Sequence, residues 1–158
     1  MTGRGFVLQA AVWLFLLVGL TGCSGGPSAI RVKGSMETSP DLNPDSGGRP
    51  SPVVVRVYQL RSPGAFQNAD FFALYDNEIA TLGQNLITPG EEFELQPGEN
   101  RDYKTELDLA TKYLGVIAAF RDLDNARWRA FVKLPDKKKV RLKIKLERLA
   151  VSVSTGKH

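Results

Sequence analysis

The chain has 158 residues, 42% of them hydrophobic, with 21 basic and 17 acidic side chains and a formal net charge of +4. This length accommodates one domain of ordinary size and is too short for two. The single cysteine, Cys23, leaves no intramolecular disulfide. The single histidine, His158, is the last residue, which excludes the usual catalytic triads and nearly all histidine-based metal sites.

Residues 1–22 have the features of an export signal, because Arg4 precedes an apolar stretch at 6–20 that ends in small residues. The stretch is shorter than the roughly 20 residues that span a bilayer. Residues 20–23 read Leu-Thr-Gly-Cys and resemble the bacterial lipobox. We therefore expect Cys23 to become the first mature residue and to carry acyl chains. The alternative is an incidental thiol after an ordinary cleavable signal or a short membrane anchor.

Ser24 follows the predicted acylation site and is the predicted sorting residue. Lipoproteins retained in the inner membrane usually have aspartate at this position, and serine resembles the outer-membrane choice. The sequence thus predicts a lipid-anchored protein of the outer membrane that faces the periplasm. Residues 23–29 are the predicted lipidated N-terminus and tether, and residues 155–158 a disordered tail.

The first strands are predicted by alternation. Apolar residues at every second position from Ile30 to Met36 indicate a half-buried strand, and the β-branched run at 53–58 indicates another. Between them, the stretch from Thr38 to Pro52 is rich in proline and glycine and predicts a long loop. Loops of this length are uncommon unless they are functional or disordered, and a flexible connector is the alternative.

A helical insertion at about 65–83 is predicted by apolar residues at helical spacing, with Asn68 as N-cap and Gly83 at the end. The pair at 76–77 could divide it into two short helices. Residues 86–95 are ambiguous, with a short strand candidate at 93–95.

From residue 101 the pattern is entirely β, and a bulge near Glu147–Arg148 is expected where the parity changes. The pattern predicts a mainly β fold, a two-sheet β-sandwich over residues 30–154. Strand parity predicts four inward side chains: Trp128, Val132, Leu142 and Ile144. The same parity predicts three solvent-facing side chains: Arg129, Lys143 and Lys145.

No active site is predicted. Asp102, Glu106 and Asp108 lie on the polar side of one strand, where a solvated face is favoured over paired catalytic carboxylates. Asp41 and Asp45 lack a calcium-loop pattern. The lysine-rich segment at 137–145 is interpreted as a solvated strand face, and nucleic acid is a poor partner for an exported protein. We expect no metal, cofactor or small-molecule substrate.

Four segments of the chain together resemble the TssJ (SciN) family, the outer-membrane lipoproteins of the bacterial type VI secretion system. They are residues 43–45, 48–60, 68–76 and 80–83, with the sequences NPD, GRPSPVVVRVYQL, NADFFALYD and ATLG. The resemblance implies a transthyretin-like β-sandwich with a small helical addition. It also implies binding to the periplasmic C-terminal region of the inner-membrane subunit TssM, through the loop that here corresponds to residues 38–50.

Within that loop we expect Leu42, Asn43, Asp45 and Arg49 to contact the partner, because Leu42 is its only large apolar side chain. Replacing residues 41–48 with a short Gly/Ser connector is expected to leave the fold intact. The segment at 61–68 is the next candidate. Two other functions compete with this one, a periplasmic lipoprotein that binds a small ligand and, more weakly, an envelope hydrolase with paired carboxylates.

Overall fold

The computed structural model describes residues 29–156. The predicted signal segment, Cys23, Ser24, most of the tether and His158 lie outside these residues. Eight strands follow in chain order: β1 Ala29–Thr38, β2 Val53–Leu60, β3 Leu86–Leu95, β4 Asn100–Asp108, β5 Tyr113–Ala118, β6 Arg129–Lys133, β7 Lys139–Glu147 and β8 Ala150–Thr155. Three short helices and a 3-10 turn lie between β2 and β3: α1 Gly64–Asn68, α2 Phe71–Asp76, α3 Glu78–Leu82 and Gly83–Asn85.

The strands form two four-stranded sheets, with the orders β4-β1-β7-β8 and β3-β2-β5-β6. Strands β1 and β7 pair in parallel, with Arg31 opposite Lys139. All other neighbours in both sheets are antiparallel. This arrangement confirms the predicted mainly β, two-sheet sandwich.

The inward faces of the two sheets enclose the core. Met36 and Ile144 of one sheet and Val55 and Val116 of the other are fully buried and belong to one cluster. Along β7, buried and exposed residues alternate without exception, which confirms that Leu142 and Ile144 point inward and that Lys143 and Lys145 face solvent. Burial of these apolar side chains is the main source of stability for a domain with no disulfide.

The helices cover the outer face of the β2–β5 sheet, where Phe66 packs against Gly115. A methyl group at Gly115 would approach Phe66 to 2.8 Å, so glycine is needed there. The insertion is divided at Asn77, as residues 76–77 suggested. Its predicted cap was wrong, because Asn68 ends α1 and the Asp70 carboxylate accepts the Ala73 N–H that begins α2.

Two predicted strand features differ from the structure. The ambiguous residues 86–95 form β3, an edge strand paired with β2. The expected bulge at Glu147–Arg148 is instead a tight turn, because β8 folds back onto β7 and places Val151 opposite Leu146. The parity change in the sequence therefore reflects a hairpin. Strand β8 also extends to Thr155, one residue beyond the predicted domain.

The expected exposure of Arg129 was also wrong. Its guanidinium donates hydrogen bonds to the carbonyl oxygens of Phe66 and Ala69, at 2.9 and 2.7 Å. It also lies 4.6 Å from the ring centroid of Trp128, a half-buried side chain that packs against the core. Because the helices cover this part of the sheet, the Arg129 side chain points at protein and only partly at water, whereas Lys133 on the same side of β6 is exposed.

The two ends of the sandwich differ in what they carry. The first end, named here the tether end, holds Ala29, the β4–β5 turn at 109–112 and the β6–β7 connection at 134–138. The second, the loop end, holds the β1–β2 loop, the β5–β6 connection and the β7–β8 turn. Strand β1 links them over ten residues, or about 30 Å. Within residues 29–156, no helix is long and apolar enough to cross a membrane.

Candidate partner-binding site

The β1–β2 loop is fastened to the sandwich by backbone hydrogen bonds. Ser39 donates to the carbonyl of Leu146 at 2.8 Å, and Asn43 donates to that of Arg148 at 2.9 Å. Within the loop, Ser51 donates to the carbonyl of Leu42 at 3.0 Å. These bonds tie the first arm of the loop to the β7–β8 hairpin and the second arm to the first. A flexible connector is therefore a poor description of this segment.

The expectation that Leu42 is exposed was wrong. Its side chain is fully buried and belongs to the core cluster between the sheets. The loop thus folds back on the domain and closes this end of the core with its one large apolar residue. A Gly/Ser replacement of residues 41–48 would remove that side chain, so a loop exchange that preserves the fold has to spare Leu42.

Asn43 also has a structural position. It is 2% exposed and adopts a positive φ of 46°, a conformation that asparagine tolerates better than most residues. Its amide group donates to the carbonyl of Pro52 at 2.6 Å and accepts from the Arg121 N–H at 2.8 Å. The side chain therefore joins the loop to the β5–β6 connection, and its expected exposure to a partner was wrong.

The exposed tip of the loop is a compact turn at residues 44–49. The Asp45 carboxylate accepts the N–H groups of Gly47 and Arg49 at 2.9 and 3.0 Å, and its other oxygen lies 2.8 Å from the Arg49 guanidinium. These contacts lower the pKa of Asp45, with the Arg49 backbone N–H as the largest cause and the guanidinium as a further one. Gly48, at φ 79°, permits the turn. The Arg49 side chain is 84% exposed.

A shallow groove of about 510 Å³ lies beside the tip. Five of its seven lining residues are polar or charged, namely Asp45, Ser46, Arg121, Asp122 and Arg148, and the other two are Pro44 and Leu149. Arg148 also lies 4.0 Å from Asp41 on the rim. This surface offers guanidinium and carboxylate groups close together, which suits hydrogen bonding with an extended polypeptide. Within residues 29–156, no group of three metal-ligating side chains occurs.

Two of the four predicted contacts, Asp45 and Arg49, therefore lie on the exposed tip. Sequence reasoning missed Arg121, Asp122 and Arg148, which come from distant parts of the chain. The β5–β6 connection approaches the β7–β8 turn because Arg127 and Leu149 share a backbone hydrogen bond of 2.9 Å. The turn signal at 122–125 could have drawn attention to the first two. The alternative segment at 61–68 follows the tether end of β2 and continues into α1.

The fold and this polar loop end define a class, small β-sandwich domains whose long loop presents a surface at one end. The model of the T6SS-SciN family, described as type VI secretion lipoprotein (VasD, EvfM, TssJ), matches residues 30–149. The chain belongs to this family of type VI secretion lipoproteins. Comparison with curated protein sequences gave no significant match.

Solved structures agree with the family. The T6SS lipoprotein TssJ1 from Pseudomonas aeruginosa is 38% identical with a TM-score of 0.77, and the match covers 82% of this chain and 98% of that one. Serratia marcescens Lip, described as a membrane-bound component of the type VI secretion system, is 26% identical with a TM-score of 0.71 and the same coverage. The chains in these two structures thus correspond almost entirely to the matching domain.

A third match comes from a structure that is named for a different protein. That structure is called "T6SS protein TssM C-terminal domain (869-1107) from EAEC", and the matched chain has 25% identity and a TM-score of 0.62. The match covers 81% of this chain and 98% of the matched one. The resemblance to the TssJ family that the sequence predicted is therefore confirmed by the family model and by the structures.

Proposed function

We propose that this lipoprotein is anchored in the outer membrane through acylated Cys23 and binds the periplasmic C-terminal region of a TssM-like inner-membrane protein. The chain thereby ties the trans-envelope complex of the secretion system to the outer membrane. The observation that carries the proposal is the position of the loop end, about 30 Å from Ala29 along β1. A protein anchored before Ala29 can present that end to a partner in the periplasm. We further propose that it has no catalytic activity.

The chain lengths in the structure named for the TssM C-terminal domain support this partner. Since 81% of 158 residues is about 128, and these cover 98% of the matched chain, that chain has about 130 residues. The TssM domain for which that structure is named, residues 869–1107, spans about 240 residues. The matched chain is thus too short to be that domain and fits a lipoprotein-sized chain in a structure named for the TssM domain.

The tip and groove supply the proposed contacts. Arg49, Arg121 and Arg148 are the cations of this surface, and arginine is enriched among the residues that dominate interface energies. Asp45 contributes by holding Arg49 in place as well as by its own charge. Leu42 and Asn43 serve the surface indirectly, because one fixes the loop on the core and the other fixes it to Arg121.

Titration of the unacylated mature chain against the partner's periplasmic fragment tests the proposed site. Replacing residues 44–49 with six Gly and Ser residues keeps Leu42 and Asn43 and should abolish binding without unfolding the domain. Arg121→Ala should weaken binding by about tenfold or more if it is one of the dominant contacts. Lys138→Gln at the tether end removes one positive charge, like Arg121→Ala, and should bind as the parent does.

Circular dichroism of each variant shows whether the fold is retained. A folded tip variant that binds with unchanged affinity would reject the loop end as the interface. The segment at 61–68 would then be the next surface to exchange.

Localisation is tested separately in cells. Cys23→Ser should abolish acyl labelling and remove the protein from the outer-membrane fraction. Ser24→Asp should keep the label and move the protein to the inner membrane. Outer-membrane retention of the Cys23→Ser protein would contradict the proposed anchor, whatever the result of the binding titration.

A further inference from the structure

The lysines of the domain fall into two groups according to their partners. Three lysines lie within 4.0 Å of a carboxylate: Lys104, Lys143 and Lys145. Six other lysines have no carboxylate within that distance among residues 29–156: Lys33, Lys112, Lys133, Lys137, Lys138 and Lys139. All six side chains are exposed. Five of the six, Lys112, Lys133, Lys137, Lys138 and Lys139, lie at the tether end, whereas Lys33 lies in the middle of β1, opposite Lys104.

Backbone contacts hold the segments that carry these lysines together. The Arg31 N–H, two residues after Ala29, donates to the carbonyl of Lys138 at 2.9 Å. The Leu134 N–H donates to the carbonyl of Lys112 at 2.9 Å. The start of β1, the β4–β5 turn and the β6–β7 connection therefore form one continuous surface, which fixes the backbone positions of its lysines.

This surface also has an apolar component. Leu109 is 46% exposed at the β4–β5 turn. It lines an open groove of about 770 Å³ together with Ile30, Leu134 and several of the lysines. Within residues 133–139, four lysines accompany one carboxylate, that of Asp136. A positive surface that also exposes an apolar side chain matches a membrane interface, where phosphates lie above acyl chains.

We propose that the tether end is a membrane-docking face that binds the phosphate groups of anionic phospholipids, with Leu109 inserted at the interface. This inference rests on the acylation of Cys23 in the proposed function, which fixes the distance to the membrane. Five residues lie between Cys23 and Ala29, so even a fully extended chain spans only about 20 Å from one to the other. The end of the sandwich nearest the membrane is therefore the end that carries the unpaired lysines.

Docking sets the orientation of the domain. Each lysine near an anionic surface contributes attraction that falls off within a Debye length, about 8 Å at physiological ionic strength. The lysines act only when the tether end faces the lipid, so they select the orientation in which β1 points away from the membrane. The loop end is then held in the periplasm, where a short tether alone would let the domain tilt.

Flotation of the unacylated mature chain, carrying Cys23→Ser, on lipid vesicles tests the docking face. The strands all pair within residues 29–156, and the chains in the two solved structures correspond almost entirely to the same domain, so this part of the chain folds on its own. We expect binding to vesicles of phosphatidylethanolamine and phosphatidylglycerol that weakens with salt. Vesicles of phosphatidylcholine alone should bind little.

A triple variant, Lys133→Gln, Lys137→Gln and Lys138→Gln, should lower the partition onto anionic vesicles by at least about tenfold. This follows because each surface lysine is worth roughly a fivefold change before screening. The matched control exchanges Lys104, Lys143 and Lys145 for glutamine, which removes the same charge from the paired group. It should retain binding. Equal losses in the two triple variants, or equal binding to both kinds of vesicle, would overturn the proposal.

A second measurement detects docking even when the free domain binds vesicles too weakly for flotation. Because Cys23 is the only cysteine, its thiol can be coupled to a maleimide phospholipid in either kind of vesicle. Acetylation of lysines should then be slower at Lys112, Lys133 and Lys137 on anionic vesicles, with no change at Lys104 or Lys145. Uniform labelling of all lysines would contradict docking.

The vesicle experiments do not involve the partner fragment, and the partner titration does not involve lipid. Failure of this proposal can therefore be told apart from failure of the proposed function. If the first triple variant lost affinity for the partner fragment and kept its partition onto vesicles, the surface would belong to the partner instead.

Discussion

The loop end and the tether end are both rich in charged side chains, but these side chains are paired at the loop end and largely unpaired at the tether end. At the loop end, carboxylates hold cations at fixed positions, as in the pairs Asp45–Arg49 and Glu99–Arg101, both closer than 3 Å. At the tether end, lysines lie side by side with few carboxylates. Paired charges of fixed geometry suit recognition of one partner, whereas unpaired flexible lysines suit attraction to an extended anionic surface. The net charge of +4 for the whole chain does not show this difference between the two ends.

The largest effect is expected where the loop end meets the core. Leu42→Ala should lower the free energy of unfolding by about 2–5 kcal/mol, because the side chain is fully buried and its removal leaves a cavity. Urea denaturation measures the change. Arg49→Ala, on the exposed tip of the same loop, should change stability by less than about 0.5 kcal/mol. Similar losses of unfolding free energy in the two variants would mean that Leu42 does not pack in the core.

Asn43 should come next. Asn43→Ala should cost about 1–3 kcal/mol of unfolding free energy, since the Arg121 N–H and the Pro52 carbonyl lose their partner and alanine tolerates the positive φ poorly. Asn43→Gly keeps the φ and loses only the hydrogen bonds, so thermal denaturation of both separates the two contributions. If Asn43→Gly is as stable as the parent protein, the Asn43 side chain does not join the β1–β2 loop to the β5–β6 connection.

Acidification should loosen the loop tip in the pH range in which Asp45 becomes protonated. The pKa of Asp45 is lowered in the folded protein, mainly by the Arg49 backbone N–H. Its contribution is therefore complete above the ordinary value near 3.9 and is lost as pH falls through the lower folded value. The amide resonances of Gly47 and Arg49 should shift together in that range. Asp45→Asn should abolish the shift, and persistence of the shift in that variant would assign it to another group.

The smallest effect is expected at the tether end. Lys138→Gln should leave the free energy of unfolding within about 0.5 kcal/mol of the parent protein or raise it slightly, because it removes a charge that lies among like charges. Chemical denaturation at low ionic strength is the most sensitive measurement. A clear loss of stability would show that the lysine has a structural partner, and the contrast between the two ends would then weaken.

Strand parity predicted the sandwich well where one face of a strand meets water. Along β7 the alternation of apolar and basic residues gave the correct side for Leu142, Lys143, Ile144 and Lys145, because the outer face of this strand is open to water. Arg129 was misplaced because parity does not reveal that helices cover the other side of β6. Leu42 was misplaced because a proline-rich composition indicates a loop without showing whether that loop returns to the core.

The candidate site was predictable only in part. Asp45 and Arg49 are close in sequence, and their segment was recognisable from its turn residues. Arg121 and Arg148 reach the same groove only through the pairing of the β5–β6 connection with the β7–β8 turn. That contact depends on which strands are neighbours in each sheet, and local sequence patterns carry no such information.

The central position of β1 has a mechanical consequence. Tension between the membrane anchor and a partner at the loop end would run along β1, which is hydrogen-bonded to β4 on one side and to β7 on the other. These bonds lie across the direction of pull, so the strand has to shear past both neighbours at once to be extracted. The unfolding rate governs resistance to such force. A domain attached by its central strand thus resists unfolding under such tension.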